Sequence, residues 1–266
     1  MGEKTGISWT DATWNCWQGC HKVSAGCKNC YMFSEKIRYG QEPNVVVRSS
    51  PVTFNAPLKW AKNREKYGHI NRVFVDSWSD FFIEEADPWR LEAWDIMRRT
   101  PELTYQICTK RPERIRECLP PDWHNGLPNV WMGTTVENRE VEHRIETLKK
   151  IPARVRFLSC EPLLQDLGEL DLDGIHWVIT GGESGSNARP MDPMWAIRIQ
   201  QQCAYHGIAF FHKQNGEFLY EASCNWNEKL DGQYIEFGDG WMRRVGRNAA
   251  GHLLGGMEWH GFPTEG

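Results

Sequence analysis

The chain has 266 residues, a formal net charge of -4 and nine cysteines. This length is enough for one large or two small domains with a self-sufficient core, so stability needs no disulfide scaffold. The acidic balance argues against a protein that coats nucleic acid nonspecifically, because such binding depends on many contacts between basic side chains and phosphate. The sequence shows neither a signal peptide nor the roughly 20 apolar residues that span a bilayer. We therefore expect a cytoplasmic protein with no membrane partner.

Four cysteines lie close together near the start of the chain, at Cys16, Cys20, Cys27 and Cys30. In a reducing cytosol, such spacing indicates metal or redox chemistry rather than disulfides. Two pairs of thiolates can close a tetrahedral structural zinc site. Three thiolates can instead hold a 4Fe-4S cluster and leave its fourth iron open to a ligand. The spacing alone leaves both interpretations open.

After the cysteine loop, short apolar runs alternate with helical patterns. The first helix is predicted over residues 29–39 and ended by Gly40. Strands are predicted at residues 72–77, 103–109, 129–135, 154–160, 175–182 and 208–213. Nearly continuous apolar runs are typical of strands that are buried on both faces. They predict a parallel sheet with helices outside it.

Three further helices are predicted between these strands. Asp87 and Asp192 each precede a proline, the pattern of a capping side chain followed by the first helical residue. The helix that begins at Asp87 carries the apolar residues Leu91, Trp94 and Met97, which we expect to face the core. A third helix is predicted from about residue 138 to 150, with one apolar face.

Six strand-helix units, with one more strand before the cysteines, predict an α/β fold. We expect a complete or partial parallel (β/α) barrel, and an open doubly wound sheet is the alternative. The barrel domain is predicted to span residues 1–213, with the cysteine loop at 16–31. The remainder, residues 214–266, is predicted to be a C-terminal extension that packs on the barrel and contains a hairpin within residues 230–247.

Polar side chains follow each predicted strand, where a parallel barrel holds its chemistry. Glu161 and Glu183 stand out because each follows a buried run, where an unpaired carboxylate is costly. The N–H groups of Gly181 and Gly182 can approach a carboxylate or phosphate, although a tight turn explains two glycines equally well. The pair at 110–111, a lysine and an arginine, can bind an anion or form a salt bridge.

Seven segments of the chain, in order, resemble a known family. They are TWNCWQGCHKVSAGCKNCY, SDFF at 79–82, ICTKRP at 107–112, GTTVEN at 133–138, FLSCEPLL at 157–164, WVITGGESGSNARPMDPMW at 177–195 and FHKQNGEF at 211–218. Together they resemble the phage Gp37/Gp68 (DUF5131) three-cysteine family, which is related to radical SAM enzymes. The resemblance runs over roughly residues 6 to 220 and leaves the tail uncovered.

The resemblance implies a barrel of radical SAM type whose 4Fe-4S cluster is held by Cys20, Cys27 and Cys30. It implies that S-adenosyl-L-methionine is cleaved to a 5'-deoxyadenosyl radical, which abstracts hydrogen from a substrate. A flavodoxin or ferredoxin is the expected electron donor. The spacing C-x6-C-x2-C departs from the more common C-x3-C-x2-C, so the loop must bulge after Cys20. Cys16 stands where the family is expected to have proline; it is either an alternative ligand or a bystander, and we favour the bystander.

The resemblance also carries residue roles over by position. Contacts to S-adenosylmethionine are assigned to Gly181, Gly182, Glu183, Ser184, Ser159 and Glu161. Contacts to the substrate are expected from five residues that follow predicted strands, which are Asp80, Lys110, Arg111, Glu137 and Lys213. No catalytic residue is assigned.

The phage association leads to a hypothesis about the substrate. We expect an isomerase or mutase that rearranges a hypermodified thymine in phage DNA, in the host cytoplasm if a phage encodes it. Trp14, Trp17 and Trp78 are expected at the surface near the barrel mouth, where they can stack on a base. Phosphate contacts are expected from Lys110, Arg111, Arg189, Arg243, Arg244 and Arg247.

Two other functions remain as alternatives. One is a zinc-stabilised, noncatalytic nucleic-acid-binding protein. The other is a polar SAM-dependent methyltransferase, which fits less well because its reaction needs no cysteine cluster.

Overall fold

The structure is a computed structural model that describes residues 2–222 and 234–264. Its strands are β1 Ala12–Trp14, β2 Trp17–Gln18, β3 Val47–Arg48, β4 Arg72–Val75, β5 Thr104–Thr109, β6 Val130–Thr135, β7 Val155–Cys160, β8 Trp177–Thr180, β9 Ala209–His212, β10 Phe218–Glu221, β11 Tyr234–Phe237 and β12 Gly240–Arg244. Its α-helices are α1 Tyr31–Arg38, α2 Pro51–Phe54, α3 Ala56–Lys62, α4 Arg64–Tyr67, α5 Asp87–Arg99, α6 Ile115–Cys118, α7 His143–Lys149, α8 Pro193–His206 and α9 Arg247–Ala250. All six predicted strands are present, and β1 is the expected strand before the cysteines.

Seven strands form one sheet in the order β1-β4-β5-β6-β7-β8-β9. The pairs β1 with β4, β4 with β5, β5 with β6, and β8 with β9 are parallel. The order never reverses along the chain, whereas a doubly wound sheet reverses at its switch point. The fold is therefore α/β and compatible with a partial (β/α) barrel, and the doubly wound alternative is wrong.

The chain divides into two compact units. The first consists of Met1–Thr135, His143–Leu158 and Gly174–His176, and the second of Val136–Glu142, Ser159–Asp173 and Trp177–Gly266. The predicted limits of the barrel domain and its extension stay a prediction.

The helix starts differ from the sequence prediction at one of the two Asp-Pro pairs. Asp192 caps α8 as predicted, because its carboxylate accepts a hydrogen bond from the Met194 N–H at 2.8 Å. Asp87 is instead the first residue of α5, and its carboxylate binds Arg90 and Arg114. Arg90 lies on the next turn of α5 and Arg114 lies after β5, so the Asp87 carboxylate forms ion pairs where a capping hydrogen bond was predicted.

Two other helix predictions need correction in detail. Leu91 is 63% exposed and lies outside the buried face of α5. The third helix is shorter than predicted, because a 3-10 turn at Arg139–Val141 precedes α7. Its apolar face is nonetheless buried, through Val141, Ile145 and Leu148.

Aromatic side chains form a large part of the core of the first unit. Phe81 packs against Trp17 at 5.1 Å and against Trp94 at 4.8 Å between ring centroids. Trp14 and Trp17 are fully buried, and their indole N–H groups donate to backbone carbonyls. The expectation that these two residues stack on a base at the surface is therefore wrong. Burying a large aromatic ring removes its apolar surface from water, and this stabilises the fold.

The C-terminal segment packs within the second unit. The predicted hairpin is present as β11 and β12, and β12 also pairs with β10. Its first residues, 230–233, lie outside the described residues. Further along the chain, the Trp177 indole N–H donates to the Gly261 carbonyl at 2.8 Å. This contact and a bridge between Phe211 and His260 attach the tail to β8 and β9.

Candidate functional site

Most of the cysteine loop, residues 19–30, lies between β2 and α1 in the first unit. Cys27 ends a 3-10 turn, and Cys30 immediately precedes α1. Gly19 opens the loop with a φ of +102°, and a Cβ there would lie 2.2 Å from the Val45 carbonyl oxygen. The chain thus requires glycine at this position both for its conformation and for the close backbone approach.

Residues that follow β4 hold the two ends of the loop. The Gly19 N–H donates to the Trp78 carbonyl at 3.0 Å, and the Ser79 hydroxyl donates to the Gly19 carbonyl at 2.6 Å. At the other end, the Tyr31 hydroxyl donates to the Ser77 carbonyl at 2.6 Å. The loop is therefore attached to the carboxyl end of β4, an inner strand of the sheet, where the sequence predicted the chemistry.

Asp80 is a buried carboxylate whose two oxygens are both occupied. Oδ1 accepts from the Phe82 N–H at 3.0 Å and from the Thr109 hydroxyl at 2.6 Å. Oδ2 accepts from the Lys110 N–H at 2.9 Å and from Arg111 Nη1 at 3.1 Å. Four donors around one buried carboxylate indicate a fixed structural anion.

Arg111 connects this carboxylate to the cysteine loop. Its Nη1 lies 3.8 Å from the Cys20 Sγ, and its Nη2 donates to the His21 carbonyl at 3.0 Å. The arginine is only 8% exposed. Asp80 and Arg111, which the sequence assigned to the substrate, therefore contact each other and the cysteine loop.

The electrostatic environment of Cys20 follows from its burial. Desolvation raises the pKa of its thiol to about 12, Asp80 and Cys27 act in the same direction, and Arg111 opposes them. An anionic sulfur in this environment needs a cation or a metal as its partner. Arg111 is the protein group that supplies part of that compensation.

The cysteine loop supplies thiols, which are the donor type of structural zinc sites and of iron-sulfur clusters. Cys20, Cys27 and Cys30 are all free thiols within one short loop. In residues 2–222 and 234–264, no group of three or more His, Cys, Asp or Glu side chains is gathered closely enough to hold a metal ion. Cys16 is completely buried, and burial raises the pKa of its thiol well above the usual range.

Asp76 is a second buried carboxyl group beside the start of the loop. It follows β4 with a φ of +54°, and its Oδ1 accepts from the Cys16 N–H at 2.7 Å. Its Oδ2 is buried and has no hydrogen-bond partner among the described residues. Burial raises the pKa of Asp76 well above its usual range. Its place after a strand was visible in the sequence, but its role in supporting the loop was not.

In the second unit, Glu161 and Lys213 form an ion pair. Lys213 Nζ lies 2.6 Å from Glu161 Oε2. Glu161 Oε1 is buried and has no hydrogen-bond partner in the described parts of the chain. A buried acceptor without a donor costs free energy unless a ligand or water satisfies it. Gly181 borders this pair, since a Cβ there would lie 3.4 Å from Glu161 Oε2.

Glu183 has a different partner. Its carboxylate accepts hydrogen bonds from the Arg189 backbone N–H at 2.9 Å and from the Arg189 guanidinium at 2.5 and 2.8 Å. A Cβ on Gly182 would lie 2.4 Å from the Asn215 carbonyl oxygen. Gly182 and Glu183 of the GGES segment therefore each have a structural role in the fold.

The remaining assigned residues are distributed over both units. In the first unit, Lys110 Nζ donates to the Thr135 hydroxyl at 3.2 Å. In the second unit, Glu137 and Ser159 are buried, whereas Ser184 is exposed. The roles assigned to these residues stay predictions.

A buried polar network in the second unit was not foreseen from the sequence. His212 Nδ1 is 2.9 Å from the Thr180 hydroxyl, and its Nε2 is 3.1 Å from the Asn215 Oδ1. Asn215 Nδ2 then donates to the Ala250 carbonyl at 2.9 Å. Burial lowers the pKa of His212 to about 4. The strand-end position of His212 was the only signal in the sequence.

These features define an α/β protein with a singly wound parallel sheet and a thiol-rich loop at the carboxyl end of its strands. The chain belongs to the family described as a protein of unknown function (DUF5131), which matches residues 4–263. The match confirms the DUF5131 family within the resemblance of the seven motifs, and it extends over the tail. No curated protein and no solved structure matches the chain. None of the helices in the described parts of the chain is both long and apolar enough to cross a membrane.

Proposed function

We propose that the protein is a radical SAM enzyme whose 4Fe-4S cluster is held by Cys20, Cys27 and Cys30. The cluster would supply the electron that cleaves S-adenosylmethionine and so generates the 5'-deoxyadenosyl radical. The observation that carries the proposal is the anchored loop of three free thiols beside a buried arginine. A reductant such as a flavodoxin or ferredoxin completes the proposed reaction.

The residues around the loop have definite tasks in this proposal. Three thiolates concentrate negative charge in one place, and the guanidinium of Arg111 offsets part of it at Cys20. Hydrogen bonds to Gly19 and from Tyr31 hold the two ends of the loop while the cysteines bind. A loop that is already held loses less conformational entropy when it takes up a metal group.

Glu161 and Lys213 are the proposed contacts for the polar part of S-adenosylmethionine. The unsatisfied Glu161 Oε1 would accept a hydrogen bond from the ammonium or a ribose hydroxyl of the cofactor. Lys213 would place a positive charge beside the carboxylate of S-adenosylmethionine. Glu183 has a weaker claim because Arg189 already occupies its carboxylate.

For the substrate, we propose a modified nucleobase, with rearrangement of a hypermodified thymine as the reaction. The proposal draws on the phage association of the resemblance. A unit of nucleotide size suits the acidic chain better than a long duplex does. The ion pairs of Arg189 and Arg243 with glutamates further reduce the number of free cations for phosphate contacts.

Anaerobic reconstitution with iron and sulfide tests the enzyme class. We expect about four irons and four sulfides per chain and an EPR signal of the reduced protein that changes when S-adenosylmethionine is added. Alanine at Cys20, Cys27 or Cys30 should abolish the signal. Cys16→Ala is the matched control and should retain it. Stoichiometric zinc without a cluster would instead support the noncatalytic nucleic-acid-binding alternative.

A second experiment tests the substrate. The reconstituted enzyme is incubated with S-adenosylmethionine and either hypermodified phage DNA or its free nucleosides, and the nucleosides are then analysed by mass spectrometry. We expect a product isomeric with a modified thymidine. Formation of 5'-deoxyadenosine with no change in any nucleoside would reject the proposed substrate and leave the enzyme class intact.

A further inference from the structure

Arg111 contacts both a buried carboxylate and the cysteine loop, and a contact to the substrate would not require either. Arg111 follows β5, and Asp80 follows β4. The Asp80 carboxylate accepts hydrogen bonds from the Thr109 hydroxyl and the Lys110 N–H and so links the ends of these two strands. Since Asp80 is 5% exposed and accepts four hydrogen bonds, the guanidinium has a fixed partner on one side. On its other side it reaches the cysteine loop at two successive residues.

The two loop contacts have different consequences. The bond from Nη2 to the His21 carbonyl, at 3.0 Å, holds the backbone just after Cys20. The contact of Nη1 with the Cys20 sulfur, at 3.8 Å, brings a positive charge to one thiol and to neither Cys27 nor Cys30 among the described contacts. Arginine suits both tasks because its planar fork presents several donors in a fixed geometry.

We infer that Arg111, held by Asp80, is a positioning residue that clamps the Cys20 end of the loop and tunes the group bound there. This inference rests on the proposed function, because the tuning requires a cluster. A cation that donates to a ligand sulfur stabilises the more negative, reduced form of a cluster and therefore raises its reduction potential. The cluster would thus be easier to reduce with Arg111 beside Cys20 than without it.

The clamp can be tested without a cluster. Lys22 and Lys28 are exposed lysines within the loop, so endoproteinase Lys-C reports on its opening in the full-length, metal-free chain. When opening is fast, cleavage follows the population of the open form. Arg111→Gln removes the hydrogen bonds that the charged guanidinium donates to the loop. Cleavage at these two lysines should therefore be about tenfold faster.

Arg114→Gln is the matched control. Arg114 is also a largely buried arginine with acidic partners, Glu84 and Asp87, but it makes no described contact with the cysteine loop. Cleavage at Lys22 and Lys28 should therefore be unchanged in this variant. Equal cleavage in Arg111→Gln and wild type, or equal acceleration in both variants, would overturn the clamp.

The reduction potential tests the tuning and has a readout other than activity. In EPR-monitored titrations without S-adenosylmethionine, Arg111→Gln should have a more negative potential than wild type, and Arg114→Gln should match wild type. Arg111→Lys retains the charge and should lie between them. A fully loaded Arg111→Gln with the wild-type potential would overturn the tuning.

The outcomes separate this inference from the proposed function. If the wild-type chain takes up no cluster, the proposed function and the tuning fail together, while the Lys-C result still decides the clamp. If circular dichroism shows that Arg111→Gln is unfolded, Arg111→Lys replaces it in the cleavage assay. Faster loop cleavage in Arg111→Lys, which lacks the fork, supports the clamp, and a wild-type rate rejects it.

Discussion

At the scale of single residues, the two adjacent glycines of GGES have different environments. A Cβ on Gly181 would make only ordinary contacts, at 3.4 Å to Glu161 and 3.5 Å to Lys213. A Cβ on Gly182 would lie 2.4 Å from a backbone oxygen, which cannot move aside as a flexible side chain can. The motif therefore combines one position that borders the proposed cofactor contacts with one that the fold itself requires.

These environments predict different effects of alanine on stability. Gly182→Ala should lower the free energy of unfolding by about 1–3 kcal/mol, because the methyl group forces the backbone at Asn215 to shift. Gly181→Ala, the matched control, should stay within about 1 kcal/mol of wild type. Urea unfolding of both variants measures the difference. Equal stabilities would show that the close approach at Gly182 relaxes at little cost.

At the scale of secondary-structure elements, identical Asp-Pro sequences serve different purposes. Asp192 precedes α8 and satisfies a backbone N–H of its first turn. Asp87 lies inside α5 and serves as the anionic partner of two arginines. The local pattern is the same, but only the tertiary structure brings Arg114 to Asp87, so the sequence could not distinguish the two cases.

The cap of α8 contributes measurably to the stability of the protein. Asp192→Ala should destabilise the protein by about 1 kcal/mol, since it leaves the Met194 N–H without its side-chain acceptor. Asp192→Asn should restore most of this stability, because asparagine is an equally good capping residue. Thermal or urea unfolding compares the two variants. A loss in Asp192→Asn as large as in Asp192→Ala would assign the effect to charge rather than to capping.

At the scale of the whole molecule, buried ionisable groups make stability depend on pH. His212 is fully buried with a pKa of about 4, whereas an unfolded histidine titrates near 6.5. As the pH falls below about 6.5, the unfolded chain therefore binds a proton that the folded chain does not. Asp76 acts in the opposite direction, because its raised pKa makes the folded state bind protons more readily.

The histidine contribution can be isolated by substitution. Between pH 7 and pH 5, His212 should lower the free energy of unfolding by about 2 kcal/mol, and His212→Gln should remove that loss. Urea unfolding of both metal-free proteins at the two pH values makes the comparison, since Asp76 contributes equally to both. An unchanged pH dependence in His212→Gln would contradict the assignment.

The sequence by itself determined the class of fold and most of its elements. Continuous apolar runs predicted the strands of the parallel sheet, and seven motifs in order identified the family that the whole-chain match confirms. The loop of Cys20, Cys27 and Cys30 was equally evident, because cysteine spacing is a local property. Even the polar residues that follow the strands could be read from their positions.

Only the tertiary structure decided which of these polar residues meet. It paired Asp80 with Arg111 beside Cys20, Glu161 with Lys213, and Glu183 with Arg189. It also decided that the strand order does not reverse and that Trp14 and Trp17 lie in the core. The physical reason is that hydrogen bonds and ion pairs depend on distances of a few ångströms between residues far apart in sequence. Spacing along the chain does not encode those distances.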